Sequence, residues 1–169
     1  MSKTMPVECY QVSWMSRNPD MSEVTSAICQ LVLSALAGTT GSAIVRVVVI
    51  GHSFGGAVAV RAGELLRDLL ELTNGFLAGV VALSPQVCGA RDAIPALAGI
   101  PNLIVHSVDD EAVWVMSALR LHDMAKEPKE IKLMRTGGHN LSASKDELHE
   151  SLLQWVIERV HAEEIISSF

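Results

Sequence analysis

Apolar residues in this chain fall into short continuous runs and into patterns that recur every three or four positions. Residues 44–50 (I-V-R-V-V-V-I) are the clearest continuous run, broken only by Arg46. Residues 77–83 and 103–106 repeat it, and 130–134 follow with Lys132 facing outward. Runs of this length predict strands, and near-continuous ones predict a parallel sheet covered on both faces. The 44–50 strand is expected to be central and the 130–134 strand an edge. A shorter alternating stretch, 7–12 (V-E-C-Y-Q-V), predicts a strand near the start.

Helical spacing fills the gaps between these runs. Asn18-Pro19-Asp20 is a turn signal, and Asp20-Met21-Ser22-Glu23 has the form of a helix start. Ile28, Leu31, Val32 and Ala35 then lie on one face, and Gly38 and Gly41 end the helix. A second helix runs from just after Ser53 to about Leu72, with Leu65, Leu66, Leu69 and Leu70 on one side and Asn74-Gly75 as its stop. Residues 91–98 predict a short helix between Pro85 and Pro101, and 111–124 a longer one ending before Pro128. Ser144-Lys145-Asp146-Glu147 is a capping box opening a last helix that carries Leu148, Leu152, Trp155, Val156 and Val160. Alternating strands and helices predict an α/β domain with right-handed crossovers: a mainly parallel sheet of about five strands with helices on both faces. With no repeats and no linker, residues 1–169 are expected to form one domain.

Composition narrows the partners. The chain is 49% hydrophobic with mean hydropathy +0.32, yet the most apolar helical stretch, 24–37, is broken by Thr25, Ser26, Gln30 and Ser34, so no membrane span is expected. Net charge is −6 with no basic run, which argues against nucleic acid. The start lacks an export signal, and Cys9, Cys29 and Cys88 have neither metal nor disulfide spacing. A reducing, cytoplasmic setting is expected, with the cysteines as small buried hydrophobes.

The chemistry centres on the end of the 44–50 strand. Gly51-His52-Ser53-Phe54-Gly55 is a G-x-S-x-G sequence between a strand and a helix, the form of a nucleophile elbow. A side chain at either glycine would crowd the backbone. Ser53 is then thrust out near the positive end of a helix, and the Phe54 amide is expected to point at a developing oxyanion. A serine hydroxyl needs a base, and the base an orienting acid. In this architecture they follow in the order acid, then histidine, each beyond a strand's carboxyl end. The 103–106 strand runs into His106-Ser107-Val108-Asp109-Asp110, where either aspartate is a candidate acid. The last strand is followed by Thr136-Gly137-Gly138-His139, where a glycine-flexed loop lets an imidazole reach back. His52 is expected only to be the bulky elbow residue and His106 a core histidine at a strand end. His149-Glu150 lacks the second histidine of a zinc motif.

Gly51–Gly56, Leu83-Ser84-Pro85, the segment H-S-V-D-D-E-A-V and Gly137-Gly138-His139 together resemble the α/β-hydrolase superfamily. The chain is most similar to its dienelactone-hydrolase-like branch of small serine hydrolases, over about residues 44–160. The branch commonly carries H-G-x-x-D-x-x-V after the strand. Laid on that motif, Asp110 takes the acid position and Val113 the last, with Ser107 in place of the glycine. The resemblance implies a catalytic set of Ser53, Asp110 and His139, hydrolysis of small esters or thioesters, and no metal or cofactor. It also implies more strands, and a loop supplying a second oxyanion-hole amide, before the elbow than the 43 residues here provide, so the fold is expected to be shortened at its front. If the 7–12 strand fills the vacant place, the amide of Trp14 or Met15 is the candidate second donor. A shortened front and a wide apolar surface on the 24–37 helix predict a homodimer or a partner chain. They also leave open a non-catalytic subunit that binds a partner protein.

Overall fold

The computed structural model describes residues 7–13, 18–38 and 44–160. The elements are α1 (Met21–Ala37), β1 (Val45–His52), α2 (Phe54–Glu71), β2 (Gly75–Leu83), β3 (Asn102–Ser107), α3 (Val115–Met124), β4 (Lys129–Met134) and α4 (Lys145–Val160). The strands lie side by side in chain order, β1-β2-β3-β4, and every neighbouring pair is parallel. Their carboxyl ends therefore share one edge, where His52, Leu83, Ser107 and Met134 lead into loops.

The helix starts and stops follow local chemistry. Asp20 caps α1 by accepting the Glu23 amide at 3.0 Å, and Gly38 closes it with its amide on Ser34 and Leu36 carbonyls. On one face of the sheet α1, α2 and α3 bury a core that includes Cys29, Leu66, Leu70, Ile94, Leu97, Ile104 and Leu121. Gly63 lets α2 lie close on β2, since a Cβ there would meet Val80 Cγ2 at 2.6 Å. On the other face α4 packs Trp155 with Val81, Leu103, Val105, Met134 and Leu141. Trp155 donates its indole N–H to Glu130 at 2.9 Å, and the Arg159 guanidinium stacks 4.2 Å above its ring.

Several local expectations change. Residues 7–13 form no regular element: Val7 and Tyr10 are exposed, and alternation alone gives a strand no ladder to join. Among the described residues β1 is therefore an end of the sheet rather than its centre, and Ile50 is 46% exposed. Gly41, Trp14 and Met15 lie outside the described residues. The 91–98 helix shrinks to a 3₁₀ turn, Ile94–Leu97, with Pro95 at its start and Gly99 at φ +83° just beyond its end. Helix α3 begins at Val115, not at residue 111: Ala112 and Val113 donate their amides to Asp110, but the Val113 carbonyl accepts from His106 and Ser117 donates to the Trp114 carbonyl instead. Helix α4 starts at Lys145, directly after Ser144 as expected, but the Ser144 hydroxyl donates to the Thr136 carbonyl. On β4, an edge as expected among the described residues, Lys132 is half-buried under α4, ion-paired with Glu147 at 3.1 Å, while Leu133 faces water.

Candidate active site

Strand β1 delivers Ser53 to the loop edge in a tight turn. Ser53 adopts φ 56°, ψ −119°, a backbone state that costs a non-glycine residue about 1–3 kcal/mol. The surroundings hold it there. Its amide donates to Leu83 O at 2.8 Å, and its carbonyl accepts from Gly56 and Ala57 as α2 begins. The neighbouring glycine is obligatory, because a Cβ on Gly51 would lie 1.8 Å from the Gly55 carbonyl oxygen. Ser53 makes no side-chain cap to α2. Its hydroxyl lies 2.8 Å from His139 Nε2.

His139 follows β4 on a loop with Gly137 at φ +145° and Gly138 at φ +60°, backbone states that suit glycine. Its Nδ1 is 2.8 Å from Asp110 Oδ2. A carboxylate only accepts, so Nδ1 carries the hydrogen and Nε2 is free to accept from Ser53. Asp110 has a fully buried side chain. Its other oxygen accepts the amides of Ala112 at 2.9 Å and Val113 at 2.8 Å. Burial opposes its charge, but the Val113 amide, the His139 hydrogen bond and the Ala112 amide outweigh it and hold the carboxyl below its ordinary range. The three sequence candidates Ser53, Asp110 and His139 thus lie in one hydrogen-bonded line. Phe54 opens α2 directly after Ser53, and Trp14 lies outside the described residues.

Four further side chains surround this line: His52, expected only as the bulky elbow residue, Ser84, His106, expected as a core histidine, and Asp109, the alternative acid. His52 lies with its ring centroid 4.9 Å from that of His139, and its Nε2–H donates to the His139 carbonyl at 2.8 Å. Ser84, fully buried at φ 44° in the Leu83-Ser84-Pro85 turn, donates to the same carbonyl at 2.9 Å. His106, also fully buried, donates from Nε2 to Val113 O at 2.8 Å and faces Asp110 Oδ2 at 3.3 Å. Its Nδ1 has no partner among the described residues. Asp109 is exposed and accepts the amides of Gly137 and Gly138. His52, Ser84, His106 and Asp109 all belong to the motifs read from the sequence, but no local signal gave the contacts they make here. Among the described residues no group of three or more His, Cys, Asp or Glu is placed to hold a metal. Nor is any helix there long and apolar enough to cross a membrane.

A parallel sheet with a strained serine between the first strand and the following helix, and an acid and a histidine beyond later strands, is the organisation of an α/β hydrolase. The sequence model of the alpha/beta hydrolase family matches residues 8–154, and the chain belongs to that family. Solved structures share the fold. The esterase domain of a Rhodothermus marinus protein superposes with a TM-score of 0.60 at 19% identity, covering 83% of this chain and 68% of that one. A monoacylglycerol lipase from Paleococcus ferrophilus gives 0.68 at 14% identity, covering 83% and 76%. Acyl-protein thioesterase 2 from Zea mays gives 0.58 at 22% identity, covering 86% and 71%. No curated protein sequence matches the chain.

Proposed function

We propose that this chain is a serine hydrolase that cleaves carboxylic ester or thioester bonds of small acyl substrates through an acyl-enzyme on Ser53. The observation that carries this reading is the line from Ser53 Oγ to His139 Nε2 and from His139 Nδ1 to Asp110, each step 2.8 Å. Ser53 Oγ attacks the carbonyl carbon while its proton passes to His139 Nε2. Asp110 fixes the tautomer and stabilises the imidazolium. In this reading the tetrahedral oxyanion is held by the Phe54 amide; the strand on which a second donor at Trp14 or Met15 depended does not form. Lacking one such donor costs on the order of 10²–10³ in kcat. Collapse breaks the bond to the alcohol or thiol, which leaves with the proton from His139. A water then enters, gives a proton to the same nitrogen and attacks the acyl carbon, and collapse releases the acid and returns Ser53 to its hydroxyl form.

No metal or cofactor has a part in these steps. Residues 84–100 hold only turns and a 3₁₀ segment, which leaves no room for an inserted cap over the site and favours small or varied acyl groups. Cys29 is buried as expected, whereas Cys9 and Cys88 are exposed; three free thiols suit a reducing, cytoplasmic setting. We read residues 1–169 as one hydrolase-like domain that pairs with a second copy. Among the described residues β1 is hydrogen-bonded to a strand on one side only, with Ile44 and Ile50 exposed, so a two-fold partner has apolar surface to cover. The hydrolase reading is tested with a fluorophosphonate probe. Wild type is expected to be labelled and Ser53→Ala not. Equal labelling of the two would overturn it and favour a non-catalytic, partner-binding role.

A further inference from the structure

We propose that Asp109 is a positioning residue: its carboxylate holds the backbone of the loop that presents His139. The proposal rests on the reading of His139 as the base.

The two adjacent aspartates face different parts of the same target. Asp110 takes the imidazole of His139. Asp109 takes the chain that carries it, with Oδ1 2.8 Å from the Gly138 amide and Oδ2 3.3 Å from the Gly137 amide. Two consecutive glycines have more backbone freedom than any other pair, and they immediately precede His139. A ring at the end of such a hinge is not fixed by one hydrogen bond to Asp110. It also needs its main chain held. The carbonyl side is held by His52 and Ser84, which both donate to His139 O. The amide side is held by Asp109.

Ser107 completes the clamp. Its hydroxyl donates to Asp109 Oδ1, the oxygen that also accepts the Gly138 amide. Ser107 stands where the hydrolase motif commonly has glycine, and a glycine has no hydroxyl to give. It is fully buried at the end of β3, so it ties the exposed Asp109 to a rigid strand. The Ser107 hydroxyl foremost, and then the Gly138 amide, hold the Asp109 carboxyl below its ordinary range despite some desolvation. The clamp is therefore charged at neutral pH. Both aspartates come from one short loop, so the acid and the hinge of the base move as one piece. Because Asp109 is exposed, water can take over the freed amides when it is removed, and the fold is expected to survive.

The test compares wild type, Asp109→Ala, Asp109→Asn, Ser107→Gly and Asp110→Asn in the full chain. One readout is the downfield proton resonance of His139 Nδ1–H bonded to Asp110, identified by its absence in Asp110→Asn. The other is kcat and KM for p-nitrophenyl acetate. Asp109→Ala is expected to broaden the resonance and lower kcat roughly tenfold with KM nearly unchanged. That is less than the order of a hundredfold that a misplacement of about 1 Å costs, because His52 and Ser84 still hold the loop. Asp109→Asn, which keeps one accepting oxygen, and Ser107→Gly are expected to lose less. A folded Asp109→Ala with the wild-type resonance and wild-type kcat overturns the proposal. Should that variant not fold, an unchanged resonance and kcat in both Asp109→Asn and Ser107→Gly overturns it equally. A wild type inert to both ester and fluorophosphonate defeats the hydrolase reading, while the resonance, which needs no turnover, still decides the role of Asp109.

Discussion

Replacing Asp110 by asparagine is the most informative single change at this site. The Asp110 carboxylate is fully buried and faced by donors on every side: the amides of Ala112 and Val113 on one oxygen, and His139 Nδ1–H and His106 Nε2 on the other. Asparagine keeps the shape but has one accepting oxygen and one NH₂ group. If its oxygen stays with the two amides, its NH₂ faces His139 Nδ1 and the hydrogen on His106 Nε2. The imidazole then accepts at Nδ1 and carries its hydrogen on Nε2, where it cannot take the proton of Ser53. The same tautomer error costs about 10⁴ in kcat in serine proteases, and a loss of that order is expected here. Losing a charged acceptor of buried hydrogen bonds adds about 1.5–3 kcal/mol of instability at neutral pH. The sign of the pH effect follows from the lowered Asp110 pKa. A carboxyl that is more acidic folded than unfolded stabilises the fold above its unfolded value of about 3.9, and this is lost as pH falls through the folded value. Wild type should therefore lose stability on the acid side of pH 4 more steeply than Asp110→Asn. The assays are p-nitrophenyl acetate turnover and urea unfolding from neutral to acid pH. A larger loss of turnover in Asp109→Asn than in Asp110→Asn would refute the assignment of the acid.

Gly51→Ala should cost at least about 1–3 kcal/mol in urea unfolding, or prevent folding, because its Cβ would sit 1.8 Å from a backbone oxygen with no flexible side chain to yield. An alanine variant of wild-type stability would show that the elbow is looser than described. Light scattering at micromolar concentration should find a dimer. A monodisperse, fully active monomer would exclude the proposed pairing along β1.

The regular part of the fold was legible because its signals are local. The run at 44–50, the helical stripe after Ser53 and the Asp20 cap each carry their own pattern, and residues 45–160 alternate as those patterns require. The site candidates were legible for a related reason. An elbow is a turn with obligatory glycines, and the acid and histidine come in a fixed order after strands. The failures were non-local. The 7–12 stretch has strand-like alternation, but pairing depends on a neighbour that no local pattern supplies. Central or edge placement of β1 is equally invisible from its own residues. His52 reaches a carbonyl 87 positions away, Ser84 one 55 away, and Asp109 amides 28 and 29 away. Nothing in the sequence near His52 separates a bulky elbow residue from a donor to that carbonyl. The late start of α3 has a mixed cause. A carboxylate before a helix ordinarily caps it, and Asp110 does take the two amides, but His106, from the end of β3, takes the Val113 carbonyl, a contact no local pattern shows.

The span between Ser53 and His139 also bears on how the chain reaches its native state. Their hydrogen bond joins residues 86 apart, and the one between His139 and Asp110 joins residues 29 apart. Every strand pairing in the sheet is parallel, so each closes a crossover before it returns any contact energy. During synthesis Ser53 leaves the ribosome before His139, and a nascent chain that stops short of the β4 loop has the elbow sequence but not the histidine. Ester turnover would then appear only when β4 docks, late in folding. In this chain activity would report the completion of the sheet, and a refolding experiment that follows both turnover and helix content should see the helix signal recover first.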